Sequence, residues 1–175
     1  KDLALVPEQE TRGRKKTNYL YQYLKEYGLI KNKHIPDDYM YSSVEDRIEL
    51  MRGLMDTDGY KCQKANTVRF STKHKHLQEQ FYELVTGLGF KAYKREEYNK
   101  KYNKTYYGVL YGGYKINPFK LPRKADLMRE KLGKGIRQHF RYIHKIEEVP
   151  SVPVKCISVD NENHTYLCTK SYIPT

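Results

Sequence analysis

Residues 49–62 read ELMRGLMDTDGYKC, and this run limits what the chain can fold into more than any other. Ile48, Met51, Leu54 and Met55 recur at helical spacing, which gives a helix with one covered apolar face. Gly53 interrupts it. A glycine inside a helix costs about 1 kcal/mol relative to alanine, and close approach of a second helix is the leading reason to keep one. The helix then ends at Asp56-Thr57-Asp58-Gly59. Acids at a helix C-terminus oppose the macrodipole by roughly 0.3–1 kcal/mol each. An Asp-Gly turn is the ordinary reading. A bound cation is the functional one, because Mg²⁺ takes carboxylate oxygen readily. A calcium loop fails, since that alignment puts Leu54 at the first ligand and Ala65 at the terminal acid.

These acids sit in a basic chain. Thirty-three Lys and Arg face 21 Asp and Glu, a formal charge of +12. Such an excess suits a polyanionic partner, nucleic acid above all, although it describes surface potential and not fold. The 18 tyrosines favour half-buried pleated surfaces and can also contact phosphate or stack on bases. Cys62, Cys156 and Cys168 form no CxxC pair, which points to reduced thiols in a cytoplasmic setting and not to a disulfide frame or zinc site. No apolar run reaches the length of a membrane span and no signal peptide is visible, so no membrane partner is expected. The first residue is Lys, so an upstream piece is expected to precede it or to lie on another chain.

Along the chain, Thr17 caps an expected helix to about Tyr27, with Leu20, Tyr23, Leu24 and Tyr27 on one stripe and Gly28 as its stop. Ser42 with Glu45 forms a capping box for the acid-ended helix. Strands are expected near 60–65 and 67–72, and a second helix near 74–88 with Gly89 as its stop. Two further strands surround a basic, Asn-containing turn, and NPFKLPRK leads into a helix near 123–132. This order of helix, two strands, helix, two strands and helix predicts one layered α+β domain. After residues 133–135, FRYIHKIEEV, VKCISVD and HTYLCTKSYI read as three β segments, which places a domain boundary near 135.

Residues 51–59, MRGLMDTDG, resemble the LAGLIDADG signature of homing endonucleases. Glycine, leucine, both acids and the last glycine are in place. Met stands twice for an aliphatic residue, and Arg52 stands where a small residue is usual. The flanking IPDDYMYSSVEDRIEL and VRFSTKHKHLQEQFYELVTGLGFKAYKRE are similar to intein-encoded members, so the resemblance covers most of residues 15–132. It implies that residues 1–135 are one endonuclease half, with helices on a curved antiparallel sheet. Gly53 and Leu54 belong to a helix that pairs with a second motif helix. Asp58 is the catalytic acid and metal ligand for Mg²⁺ or Mn²⁺, and Asp56 is mainly structural. Metal-dependent hydrolysis of double-stranded DNA is the implied chemistry, with the sheet on the major groove. Lys120 or Lys124 is the basic side chain expected near the acids. Lysines suit phosphate contact, and the expected DNA-binding set is Lys61, Arg69, Lys73, Lys91, Lys94, Arg95, Lys100, Lys101 and Lys104. Read as residues alone, the alternative for the 91–107 hairpin is a solvated surface; DNA contact is favoured for the set and not for any single residue.

Only one motif copy is present, so the second acid comes from a homodimer or from an N-terminal portion. The tail bears on this choice. VPVKCISVDNENHTYLCTKSYIPT resembles the C-terminal splicing segment of an intein, which implies that residues 136–175 are β-rich strands of a Hint-type splicing domain. His164 then matches the segment's proton-transfer histidine. Cys156 matches a nucleophile position of inteins lacking an N-terminal nucleophile, and Thr175 matches the Thr before their final His-Asn. Those inteins also carry a Trp upstream, and this chain has none, so a buried structural thiol stays an alternative for Cys156. The favoured reading is thus a piece of an intein with an embedded endonuclease. The alternatives are a free-standing homodimeric endonuclease and a DNA-binding module without nuclease activity.

Overall fold

A computed structural model of the chain describes residues 18–63, 67–112, 115–131, 142–170 and 172–174, with side chains omitted at 129–131. The chain divides into two compact units, Lys1–Asn32 and Lys33–Thr175.

In the first unit, α1 (Tyr19–Glu26) is capped by Asn18, whose side chain accepts from the Tyr21 amide at 3.0 Å. The cap falls one residue after the expected Thr17, which lies outside the described residues. None of the α1 residues is buried, and Leu20 and Tyr23 of the expected stripe are exposed. Gly28 adopts φ 62° and closes the helix, the left-handed conformation that glycine accepts without strain.

The second unit is built around a four-stranded antiparallel sheet in the order β1-β2-β4-β3, made of β1 (Gly59–Lys61), β2 (Thr67–Thr72), β3 (Lys91–Asn99) and β4 (Lys104–Gly112). A short α2 (Asp37–Met40) precedes α3 (Val44–Asp58), and α4 (Lys75–Gly87) joins β2 to β3. The expected alternation of helices and strand pairs is therefore present. The N-cap of α3 is Ser43, not Ser42: Ser43 Oγ accepts the Asp46 amide at 3.1 Å, whereas the Ser42 hydroxyl donates to the Tyr39 carbonyl. Two adjacent serines offered two registers, each with an acid three residues on; the hydroxyl of Ser42 is committed to the Tyr39 carbonyl, and Ser43 with Asp46 makes the cap.

One face of the sheet lies under α3 and α4. Met51 and Met55, four residues apart, enter the core from α3, and Leu77, Phe81, Leu84 and Val85 enter from α4. They meet Val68 and Phe70 of β2 and Val109 and Tyr111 of β4, with Phe70 stacked on Phe81 at 4.2 Å between ring centroids. Gln78 is buried there and donates to the carbonyls of Arg95 and Gly108, tying α4 to the two long strands. The final helix is shorter than expected: α5 (Pro122–Ala125) passes into a 3-10 turn over Asp126–Lys131.

The tail departs from expectation. Residues 142–166 carry no regular secondary structure, and only a two-residue ladder forms, between β5 (Leu167–Cys168) and β6 (Ile173–Pro174). The described part of FRYIHKIEEV and all of VKCISVD form no strand pairing with the described residues, and Ile143, Ile146, Val154 and Ile157 stand exposed. Apolar alternation marks a strand only where a neighbour supplies the ladder hydrogen bonds, and no described segment does so here. The expected boundary near 135 lies outside the described residues.

Candidate active site and nucleic-acid face

The site is assembled where the connector 117–125 folds back against the end of α3. Phe119, 2% exposed, anchors the connector in the core. Asn117 stitches it internally, accepting the Phe119 amide and donating to the Ala125 carbonyl. Arg52 reaches across to donate to the Asn117 carbonyl at 3.1 Å and pairs with Glu49 at 2.6 Å. The unusual residue of the motif is thus the tie between α3 and the connector.

The two acids separate cleanly. Asp56 turns to the connector, where its carboxylate accepts the backbone amides of Lys120 and Leu121 at 3.1–3.2 Å. Asp58, the last residue of α3, is exposed, and its carboxylate accepts no hydrogen bond from the described residues. A carboxylate held by amides is committed, and one left open can bind.

Lys124 answers the electrostatic problem at the helix end. Its ammonium donates to the carbonyls of Met55, Asp56 and Gly59 at 3.1, 2.7 and 2.7 Å. A cation at the C-terminus offsets the macrodipole that the two acids oppose. Burial pushes this ammonium below its ordinary range and Arg123 adds to the push, while Asp56 and Asp58 act the other way. Lys120 instead points its ammonium at Glu49, 2.7 Å away. Hydrogen bonds from Lys120 and then Arg52 hold the Glu49 carboxyl below the usual carboxylate range.

Gly53 sits on the open side of α3, where an added Cβ would meet nothing within 4 Å. Leu50 and Leu54 are half-buried beside it. No described element approaches this glycine, so the close approach it was expected to serve is not made within the described chain. Gly59 does serve one: a Cβ there would stand 2.5 Å from the Met55 methyl and 2.6 Å from its carbonyl oxygen.

The sheet's other face is open. Directly opposed residues share a face, so Tyr60, Arg69 and Leu110 lie together, as do Arg95 with Gly108 and Glu97 with Tyr106. A shallow depression here is lined by Tyr60, Arg69, Ser71, Glu97, Tyr98, Asn99 and Tyr106.

The expected DNA set divides. Lys91, Arg95 and Lys104 are on the open face, with the Lys91 ammonium 5.9 Å from the Tyr93 ring. Lys100 and Lys101 occupy the exposed turn between β3 and β4, and Lys73 the exposed turn after β2. Lys94 falls on the helix side, paired with Glu79 at 2.6 Å and over the Tyr82 ring. Lys61 opposes Val68 and so also faces the helices. Both are corrections, imposed by the two-residue alternation of a strand. Arg69 is on the open face but folded down onto Glu97, at 2.6 Å.

In the tail, His164 sits in a turn with φ 51°, its amide donating to the Asn161 carbonyl. Its Nδ1 lies 3.1 Å from the Val159 carbonyl, which can only accept, so Nδ1 carries the proton and Nε2 is left open in the neutral ring. Cys156 is exposed in this chain. Cys62 and Cys168 are also free thiols. Thr175 lies outside the described residues. Of the two lysines expected near the acids, Lys124 is the one at the helix end and Lys120 pairs with Glu49. Glu49 and Glu97 were not legible as site residues in the sequence.

Residues 45–121, which include the helix ending in two acids and all four strands of the sheet, match the family model described as a LAGLIDADG-like domain. The chain is also similar to a replicative DNA helicase DnaB from Mycobacterium intracellulare, at 33% identity over 156 residues. That similarity takes in 87% of this chain and 27% of the helicase, so the chain spans about a quarter of that relative's length. Among the described residues no helix is long and apolar enough to cross a membrane.

Proposed function

We propose that the chain is one half of a homing endonuclease joined to the C-terminal segment of an intein, and that it cuts double-stranded DNA when a second LAGLIDADG helix is supplied. The observation that carries this is α3: Asp58 offers an uncommitted carboxylate at its end, and Gly53 leaves its flank open. A helix–helix approach at Gly53 would bring a second such acid to Asp58.

Asp58 suits Mg²⁺ or Mn²⁺, both oxygen-seeking ions. Among the described residues no three His, Cys, Asp or Glu side chains gather to hold an ion, so further protein ligands are assigned to the second helix. A bound ion would supply activation of water and stabilisation of the leaving oxygen. The chain's own contribution is orientation: Lys124 fixes the helix end, Asp56 fixes the connector, and the open face with Arg95, Lys91 and Lys104 takes the duplex backbone.

The intein context has separate support. A nuclease-type domain similar to a quarter of a chain described as a replicative helicase fits a segment inserted in a host protein. In that setting His164, with Nε2 open, acts in proton transfer, and Cys156 is the exposed thiol. The unpaired apolar residues at 143–157 await strands from an N-terminal portion. Residues 136–175, Thr175 included, are assigned to the splicing segment on the same reading, with an intracellular location shared with the host.

The test combines mass in solution with Mg²⁺-dependent cleavage of a DNA library. A monomer that cuts only when an N-terminal fragment is added supports the intein piece. A dimer that cuts alone supports the free-standing enzyme, and binding without cutting under every condition supports a DNA-binding module. Asp58→Asn is expected to abolish cleavage and leave DNA binding in place. Unchanged cleavage would end the metal assignment.

A further inference from the structure

The open face of the sheet holds one carboxylate among its bases. Among the strand residues that share this face, Glu97 is the acid, opposite Tyr106 and two residues from Arg95. A carboxylate pointed at phosphates would only repel them. Pointed at base edges in the major groove, it accepts from the exocyclic amino group of cytosine.

The geometry around Glu97 favours the second orientation. Arg69 lies flat across β4, its side chain 11% exposed, and a Cβ on Gly108 would stand 2.7 Å from Arg69 Nε. Glycine at 108 is therefore what lets the guanidinium reach Glu97. Arg69 is pressed into the sheet and turned to Glu97, not extended into solvent. It donates from Nη1 to Glu97 Oε1 at 2.6 Å, and Tyr60 stands on its other side. Glu97 remains 55% exposed, and its Oε2 accepts no hydrogen bond from the described residues. The pair thus presents one oriented acceptor at the rim of the depression, its charge offset by the guanidinium beneath it.

We propose that Glu97 is a specificity-determining residue that reads a cytosine amino group in the major groove of duplex DNA, with Arg69 as its positioning residue. This rests on the DNA-binding reading above and corrects the expectation that Arg69 contacts DNA directly. A cross-strand ion pair serving stability alone would leave base preference untouched, and the test is built on that difference.

The full chain is used to select from a randomised duplex library with EDTA present, so that no strand is cut. The wild-type chain should enrich cytosine at one position by roughly tenfold or more. Glu97→Gln keeps the shape and can still accept from Arg69, but an amide matches adenine, so the preference at that position should move from cytosine to adenine. Arg69→Lys should weaken the cytosine preference without changing its identity. Unaltered preferences at every position in Glu97→Gln would overturn the inference and leave DNA binding standing. Adenine preferred by the wild type and lost in Glu97→Ala would overturn the cytosine assignment. A wild-type chain that enriches no sequence would overturn the DNA-binding reading, and the inference with it.

Discussion

Replacing Lys124 with Met removes an ammonium and keeps most of its stem. The structure sets the size of the effect. Lys124 Nζ donates to three carbonyls, but the Met55 carbonyl also accepts the Gly59 amide and keeps a partner. The Asp56 and Gly59 carbonyls each lose a bond of 2.7 Å from a charged donor. Hydrogen bonds to charged groups contribute about 1.5–3 kcal/mol each. The burial that pushes the Lys124 ammonium down opposes that gain, so a net loss of about 2 kcal/mol is expected. Removing the cation from a helix C-terminus adds about 0.5 kcal/mol. For a domain of this size that is a drop in Tm on the order of 10 °C. Lys120→Met is the control, because its side chain is 70% exposed and pairs at the surface with Glu49, a contact of at most about 1 kcal/mol. Thermal and urea unfolding of both variants, followed by circular dichroism at pH 7, measures the difference. A Lys124→Met chain that melts together with Lys120→Met would refute the assignment of Lys124 as the structural cation of the site.

Gly59→Ala should destabilise by about 1–3 kcal/mol, because its Cβ would lie 2.6 Å from a backbone oxygen that cannot move aside; the denaturant midpoint checks this. Gly53→Ala should leave the isolated chain as stable or up to about 1 kcal/mol more stable, since nothing lies within 4 Å. It should nevertheless lower cleavage when a second motif helix is supplied. Loss of stability in the isolated chain would contradict the open-face reading. Hydrogen bonding from Arg69, opposed by partial burial, holds the Glu97 carboxyl below its ordinary 4.5. The unfolded chain therefore binds the proton first, so the stability this pair contributes is present above about pH 4.5 and is lost as pH falls through the folded value. Any advantage in Tm of the wild type over Glu97→Gln should narrow steadily below that pH, and a constant gap would contradict the pairing.

Much of the layered domain was legible because its signals are local. The period of Met51 and Met55, the glycines that follow α1, α3 and α4 and the Asn-bearing turn are properties of neighbouring residues. The roles given to Asp56 and Asp58 came from the resemblance; the structure adds that Asp56 accepts the connector amides while Asp58 is exposed. What was misread depends on partners far along the chain. Lys94 and Arg95 look alike in sequence, yet strand alternation sends one to Glu79 on α4 and the other to the open face. Arg69 reads as a free cation until Glu97, 28 residues on, is brought beside it. In the tail, apolar alternation promised strands, but a strand exists only where another chain segment completes its ladder.

Residue order alone determined that this chain makes an acid-ended helix with a glycine in its middle, set among strand pairs in a strongly basic chain. Those outcomes rest on hydrogen bonds and packing within a few residues. Only the tertiary structure decided which acid is committed and which is free, which lysine neutralises the helix end, and which bases reach the open face. Each of those depends on distances between residues some 15–70 positions apart. ELMRGLMDTDGYKC thus carries both carboxylates in its own sequence, while the connector at 117–125 supplies the amides that hold Asp56 and the lysine that caps the helix end.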